Sequence, residues 1–318
     1  MTENIRKFFN SIVDKKIAFC GLGKSNLPLI KMFSQKGAIV TACDSKNEDQ
    51  LSETIKELRP YNVRFHLGKN YLENLDFDII FRSPGLKFFS PELIQARSKG
   101  YIVTSEMELF FDLCPCKIVG VTGSDGKTTT TTIISEILKQ DGKTVHLGGN
   151  IGTPLLPQIE NIRENDIAIV ELSSFQLISI RRSPDVAIVT NVSPNHLDVH
   201  KDMTEYIEAK KNIILHQNAF SRAVLNMDNE ITKQFGDSVR GQTLFFSSKS
   251  KCDSGAYLRD NTIYFSKNGV SEPILNIDEI RIPGKHNVEN YMAAICAVFE
   301  DVSVDSIKRA VSYTHLTL

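Results

Sequence analysis

The sequence has no surplus of one charge, few cysteines and no long apolar run, and each absence removes a class of function. Its 37 Lys+Arg almost balance 38 Asp+Glu over 318 residues, a formal net charge of -1. A chain so balanced has no basic face for nucleic acid and no polybasic patch for an anionic membrane, so neither is expected as a partner. No segment approaches the roughly 18 consecutive apolar residues of a membrane span. Residues 1–16 carry too many charges for a secretory signal, and the expected location is cytoplasmic. The 6 cysteines, Cys20, Cys43, Cys114, Cys116, Cys252 and Cys296, are scattered through a chain long enough to be stabilised by core burial, so reduced thiols are expected. Cys114-Pro-Cys116 lacks the two-residue spacing of redox or zinc pairs, and no second pair exists to complete a tetrahedral site. Internal repeats and low-complexity segments are missing too, apart from a run of threonines at 128–132.

What is present is ordinary globular composition, 41% hydrophobic and 24% charged, at a length that suggests about two domains. Short apolar runs alternate with longer amphipathic stretches, the pattern of stacked βαβ units with a mainly parallel sheet. The first run, 17–20, closes on Gly21-Leu-Gly23 and is followed by helical spacing over 27–35 with a stop at Gly37. A strand over 38–42 leads to Asp44, about twenty residues beyond the glycines. A third strand at 79–81 runs into Ser83-Pro84-Gly85, and a fourth at 101–103 leads to Glu106 and Glu108. These predict a Rossmann-like parallel-sheet domain over residues 1–112. A linker is expected over 112–117, then a second α/β domain over 113–311, with buried strands at 117–121, 167–172 and 186–191. Past residue 220 the short alternating pieces 223–226, 243–246, 256–258 and 262–265 predict edge strands or a small antiparallel subsheet, before helical spacing returns over 285–298.

The strongest motif is Gly120-Val-Thr-Gly123-Ser-Asp-Gly126-Lys127-Thr128, which follows a strand and opens a helix. Glycines there let successive backbone N–H groups face a polyphosphate, with the positive end of the helix dipole behind them. Lys127 is placed to reach the β- and γ-phosphates and Thr128 to bind Mg²⁺, as in a P-loop ATPase, although the strict motif wants glycine where Val121 stands. Glu171 ends a strand beside that loop. It reads either as an acid that holds magnesium or as a cap for the next helix together with the serines that follow. In Asn191-Val-Ser-Pro-Asn-His196-Leu-Asp198, the imidazole and the carboxylate read as metal or substrate ligands, or as structural groups. Lys210 and Lys211 sit on a helix, where the bland reading is a solvated face. Gly21-Leu-Gly23-Lys-Ser-Asn26 resembles a dinucleotide fingerprint with Asp44 as its ribose acid, but Asn26 stands where close packing usually demands glycine. The turn therefore suits another nucleotide equally well, such as a uridine diphosphate sugar.

In this order, Gly123-Ser-Asp-Gly-Lys-Thr, Gly148-Gly-Asn-Ile-Gly152, Glu171-Leu-Ser-Ser-Phe-Gln-Leu177, the 191–198 segment and Gly284-Lys-His-Asn-Val-Glu-Asn290 resemble the Mur ligase family. Its members join amino acids to the peptide stem of the cell-wall precursor. Phe175-Gln176 and Ser83-Pro84-Gly85 are similar to the branch that adds D-glutamate to UDP-N-acetylmuramoyl-L-alanine. The resemblance implies that Gly123, Ser124, Asp125, Gly126, Lys127, Thr128 and Thr129 hold the phosphates of ATP, and that Asn287 and Asn290 lie near its adenine and ribose. Two Mg²⁺ ions are implied, one on Thr128 and Glu171, the other on His196 and Lys210, the lysine as a carbamate. A carbamate supplies the hard anionic oxygen that Mg²⁺ prefers, whereas an ammonium repels the ion. Forming it requires a neutral amine, hence a lysine whose pKa is lowered by burial near cations. Lys24, Ser25, Asp44, Ser45, Lys46, Ser83 and Gly85 match the positions of the uridine nucleotide, Asn150 and His196 those facing the muramoyl portion, and Ser173 is implied as a further substrate-binding residue. The implied catalytic groups are Lys127, His196 and Lys210, acting through an acyl phosphate in a monomeric enzyme.

The family's third, Rossmann-like domain, of roughly a hundred or more residues, carries an Arg and a Lys for the incoming amino acid and nucleotide. It is expected to be absent here, because residues 312–318 read Ser-Tyr-Thr-His-Leu-Thr-Leu where the family runs into Gly-Leu-Pro-His-Arg. Two alternatives stand beside the ligase: a non-catalytic ATP- and UDP-sugar-binding module, and a sibling Mur or folylpolyglutamate-type ligase.

Overall fold

Apolar runs punctuated by glycine turns become the strands of two sheets. The computed structural model describes residues 2–194, 200–282 and 284–313. They form two units, one of Met1–Pro115 with Thr153–Arg163, the other of Cys116–Gly152 with the chain from Glu164 onward.

In the first unit, α1 (Glu3–Ser11) begins where the Thr2 side chain accepts from Ile5 N, and it buries Ile5 and Phe9. Then follow β1 (Lys16–Cys20), α2 (Asn26–Gln35), β2 (Ile39–Asp44), α3 (Ser52–Leu58), β3 (Arg64–Leu67), β4 (Ile79–Arg82), α4 (Pro91–Ser98), β5 (Ile102–Thr104) and α5 (Glu106–Leu113). The sheet is wholly parallel in the order β3-β2-β1-β4-β5. One face is an aromatic core in which Phe19 stacks on Phe81 at 4.7 Å and Phe33 meets them edge-on at 5.4 and 5.1 Å. The other packs Ala18, Cys20, Cys43 and Ile80 against Leu93 and Ala96. Of these five strands the sequence reading missed β3. It is an edge strand with no fully buried residue, and Arg64 and His66 break any apolar run.

The expected border after residue 112 falls inside α5, and Cys114 and Cys116, expected in a linker, are buried. The first unit also takes back Thr153–Arg163. Leu155, Leu156, Ile159 and Ile162 of that segment are buried, and Lys36 pairs with Glu160 at 2.8 Å. The Glu106 carboxylate accepts from Leu155 N at 3.1 Å and Leu156 N at 3.0 Å.

The second unit contains β6 (Lys117–Thr122), α6 (Lys127–Gln140), β7 (Val145–Gly149), β8 (Ile167–Glu171), α7 (Ser174–Leu177), β9 (Val186–Val189), α8 (Met203–Leu215), β10 (Arg222–Asn226), α9 (Glu230–Phe235) and β11 (Gln242–Ser247). After them come β12 (Gly255–Arg259), β13 (Thr262–Lys267), β14 (Val270–Asn276), α10 (Lys285–Val298) and α11 (Val304–Tyr313). The sheet order is β14-β13-β12-β11-β10-β9-β6-β8-β7, parallel from β7 to β12 and antiparallel across β12, β13 and β14. An antiparallel subsheet was expected, but β10 and β11 are a correction: they extend the parallel sheet. β10 is buried along its whole length, so its central Ala223, Val224 and Leu225 are apolar on both faces rather than alternating, and the polar Arg222 and Asn226 at its ends are buried as well. β7 and β14 had gone unseen. α6, α10 and α11 contribute Ile133, Ile137, Ala293 and Ile307 to the core on this sheet. The expected tail at 312 is still within α11, and residues 314–318 lie outside the described ones. Among the described residues no helix is long and apolar enough to cross a membrane.

Candidate functional site

Between β6 and α6 the chain turns on two glycines that no other residue replaces without strain. Gly123 has φ +155° and an added Cβ would overlap Thr190 Oγ1; Gly126 has φ +79° and its Cβ would overlap Asn290 Oδ1. The turn is pinned from the end of β9, where Thr190 Oγ1 donates to Asp125 O at 2.6 Å and Asn191 Oδ1 accepts from Asp125 N at 3.0 Å. No side chain caps α6, so its first N–H groups are left for an anion. Lys127 Nζ folds back to donate to Gly123 O at 3.0 Å and Ser124 O at 2.9 Å. The threonine run divides its labour. Thr131 and Thr132 donate to the helix carbonyls of Lys127 and Thr128, and Thr130 donates to Asn290 Oδ1 at 3.3 Å. Thr128 Oγ1 points the other way and donates to Glu171 Oε2 at 2.7 Å.

Glu171 is 1% exposed at the end of β8, and its other oxygen accepts from Asn150 Nδ2 at 2.9 Å. Of the two readings of this acid the cap is overturned. Ser173 caps α7, its hydroxyl accepting from Gln176 N while its own N–H donates to Gln176 Oε1. A hydroxyl and a carboxylate oxygen 2.7 Å apart suit a Mg²⁺ ion, since two ligands at its usual bond length and a right angle lie about 3 Å apart. The hard oxygens of Thr128 and Glu171 therefore fit the ion.

Lys210 is not on a solvated face. It is 2% exposed on α8, donates to Gly123 O at 2.7 Å, and lies over the Tyr206 ring at 4.7 Å. Burial, reinforced by the Lys127 charge and opposed by Asp125, pulls its pKa down to about 7. Tyr206 OH in turn shares a hydrogen bond of 3.0 Å with Ser124 Oγ of the phosphate turn. His196 and Asp198 lie outside the described residues, so the place of the second metal pair rests on Lys210 alone. On α10, Asn290 Nδ2 donates to Asn287 Oδ1 at 3.1 Å, and Asn290 lines a cavity of about 90 Å³ with Asp125, Gly126 and Asn191. Thr190, Phe246, His286 and Glu289 complete its wall, and none of these four had been given a role, although His286 and Glu289 fall within the 284–290 motif.

The first unit has a separate cavity of about 450 Å³ at the C-terminal ends of β1, β2 and β4. This is the crevice where a doubly wound sheet reverses its strand order, the usual place for a ligand. Of the expected nucleotide residues, Ser25, Asp44, Ser45, Lys46, Ser83 and Gly85 all line it, whereas Lys24 is exposed and does not. Asn26 replaces glycine for a visible reason: its side-chain amide donates to Gly21 O at 2.9 Å and Cys20 O at 3.3 Å, tying down the turn. Asp44 also shapes backbone, its two oxygens accepting from Leu22 N at 2.7 Å and Lys46 N at 3.0 Å. Tyr71 and Leu86 complete the lining without having given any signal in the sequence.

Comparison with known proteins agrees with both halves. The family model described as Mur ligase middle domain matches residues 121–298, and that described as Mur ligase MurD-like, N-terminal domain matches 15–105. A UDP-N-acetylmuramoylalanine–D-glutamate ligase from Acetivibrio thermocellus is 47% identical over 310 residues, 97% of this chain and 66% of that protein. A protein of the same name from Clostridium tetani is 48% identical over 309 residues, 97% of this chain and 67% of its own length. The chain thus spans about two thirds of the length of these curated relatives. A solved structure of UDP-N-acetylmuramate:L-alanyl-gamma-D-glutamyl-meso-diaminopimelate ligase from Neisseria shares the fold at TM-score 0.63 and 16% identity, covering 94% of this chain and 98% of that one.

Proposed function

The chain belongs to the Mur ligase family, and from that premise we propose that it serves ATP-dependent addition of D-glutamate to UDP-N-acetylmuramoyl-L-alanine. The observation that carries the reading is the clamp on Glu171, held between the Thr128 hydroxyl at 2.7 Å and the Asn150 amide at 2.9 Å beside a glycine turn that bears Lys127. The choice of D-glutamate rests on the names of the relatives at 47% and 48% identity. The same reading carries the cytoplasmic location and monomeric state expected from the sequence.

In this mechanism the phosphates of ATP lie along the Gly123–Gly126 turn and the uncapped start of α6, and Asn287 and Asn290 border the nucleoside. Lys127 exchanges its carbonyl partners for phosphate oxygens. The terminal carboxylate of the acceptor attacks the γ-phosphate in line, breaking the bond to the β-phosphate oxygen and leaving ADP and an acyl phosphate. Lys127 faces the charge spread over the phosphoryl oxygens in that step. Mg²⁺ held by Thr128 and Glu171 would supply further positive charge there. The D-glutamate amine then adds to the acyl carbon, and the tetrahedral adduct expels phosphate to leave the amide. ATP is required because the oxygen of a free carboxylate is a poor leaving group. Burial and the Lys127 charge pull the Lys210 pKa down to about 7, which favours the neutral amine that carbamate formation, and with it a second Mg²⁺, would need. Asn150 and His196 are assigned to the muramoyl portion, Ser173 to substrate binding, and the cavity of the first unit to the uridine nucleotide.

The test is phosphate release from ATP with Mg²⁺ and UDP-N-acetylmuramoyl-L-alanine, with and without D-glutamate. Release that depends on both substrates is expected of the chain extended by the family's third domain, whereas these 318 residues alone should bind ATP·Mg²⁺ and the UDP precursor but turn over poorly. Failure to bind ATP·Mg²⁺, or release indifferent to the acceptor, overturns the reading.

A further inference from the structure

Three kinds of group line the cavity of the first unit, and they sort by the part of a nucleotide each suits. The turn from Gly23 to Ser25, which leads into α2 and has no side-chain cap, presents backbone N–H groups, which suit a diphosphate, while the Gly21 N–H is spent on Cys43 O at 2.7 Å. Asp44 ends β2, the position from which an acid meets a ribose in doubly wound sheets, so the nucleoside end of the ligand extends toward β2 and β3. A base then needs a flat apolar surface on that side. Tyr71 is the only aromatic residue among those lining the cavity. It follows the Gly68 turn that ends β3, with its N–H donating to Gly68 O at 3.1 Å, which places it on the same side as Asp44. The ring is half-buried, resting on the apolar cluster of Cys20, Cys43 and Leu75.

We infer that Tyr71 is the residue against which the uracil ring packs, and that it sets the preference of this cavity for a base-bearing diphosphate over a bare one. This rests on the uridine-nucleotide reading of the first unit. The packed back of the ring fixes it before the ligand arrives, so little freedom is lost when a base stacks on the other side. The phenol O–H stays protonated at neutral pH, since burial and then the nearby Cys20, Asp44 and Glu92 raise its pKa. The hydroxyl is thus a neutral rim group and the ring face is the recognition element, so phenylalanine should serve as well.

The experiment measures binding of UDP and, separately, of inorganic pyrophosphate to the whole chain and to Tyr71→Phe, Tyr71→Leu and Tyr71→Ala, by competition against a fluorescent UDP. Loss of one base–aromatic stack weakens binding roughly 5- to 150-fold. Tyr71→Leu and Tyr71→Ala are expected to lose UDP affinity within that range and to keep pyrophosphate affinity, with Tyr71→Phe within about twofold of the parent. Leucine preserves packing on the cluster, so it separates loss of the aromatic face from loss of the fold. Unchanged UDP affinity in both truncations overturns the inference. An equal loss for UDP and pyrophosphate overturns it too, because Tyr71 would then shape the cavity rather than touch the base. If the unaltered chain does not bind UDP, the uridine reading itself fails.

Discussion

Replacing Glu106 by glutamine should make the protein more stable above neutral pH and leave it almost unchanged in mild acid. Glu106 is buried in the first unit, and its carboxyl is pushed up from 4.5 to about 7, because burial outweighs the two backbone N–H groups of Leu156 and Leu155 that favour the anion. Between those two values the folded chain holds a proton that the unfolded chain has released. Stability therefore falls as pH rises from about 4.5 to 7, and is lower throughout the range above. At 1.36 kcal/mol per pKa unit, a shift of this size is worth about 3 kcal/mol. Glutamine keeps a carbonyl oxygen for Leu155 and Leu156 and has nothing to ionise. The difference between Glu106→Gln and the parent should therefore grow from near zero at pH 4.5 to about 3 kcal/mol by pH 8. Urea unfolding at several pH values measures it, followed by far-UV circular dichroism because the chain has 0 tryptophans. Parallel stability curves for the two proteins between pH 5 and 8 would refute the reasoning.

Other outcomes follow from the second unit. Lys127→Ala should abolish acceptor-dependent phosphate release while UDP binding stays within about twofold; retained release would take the glycine turn out of the reaction. Glu171→Gln removes the anionic oxygen beside Thr128, and the Mg²⁺ concentration for half-maximal activity should rise at least 10-fold, the scale on which losses around a metal site are felt. Lys210→Arg keeps the charge but cannot be carbamylated, so it should be inactive, whereas the unaltered chain should gain activity from added bicarbonate most readily above pH 7, where the amine is mostly neutral. Indifference to bicarbonate at every pH would discard the carbamate.

What could be read in advance was local chemistry. The Gly123–Thr128 turn announces itself because glycine, lysine and threonine at that spacing have few other uses, and Asp44 because an acid about twenty residues beyond a glycine turn ends a strand, whereas Ser83 was assigned only through the family resemblance. From its residues alone Lys210 looked like one of two surface lysines, and only the family resemblance implied a buried one, since burial is decided by Tyr206 and Gly123, one on the same helix and the other on a turn 87 residues away. Tyr71 gave no signal because one tyrosine in a polar loop has no periodicity. β3 escaped as a half-exposed edge and β10 as a fully buried strand that was mistaken for an edge. The excursion of 153–163 was invisible for a different reason: its burial depends on Glu106, about fifty positions earlier.

That excursion has a consequence during synthesis. Residues 1–115 leave the ribosome well before the eleven-residue strip that Glu106 and Lys36 hold, so the first unit stays unfinished while the chain lengthens from 115 to 163. At 5–20 residues per second the wait is roughly 2–10 s. Through that interval the apolar surface meant for Leu155, Leu156, Ile159 and Ile162 is open to solvent and to chaperones. The nascent polypeptide thus has a scheduled moment of vulnerability, and rare codons placed between positions 115 and 163 would prolong it.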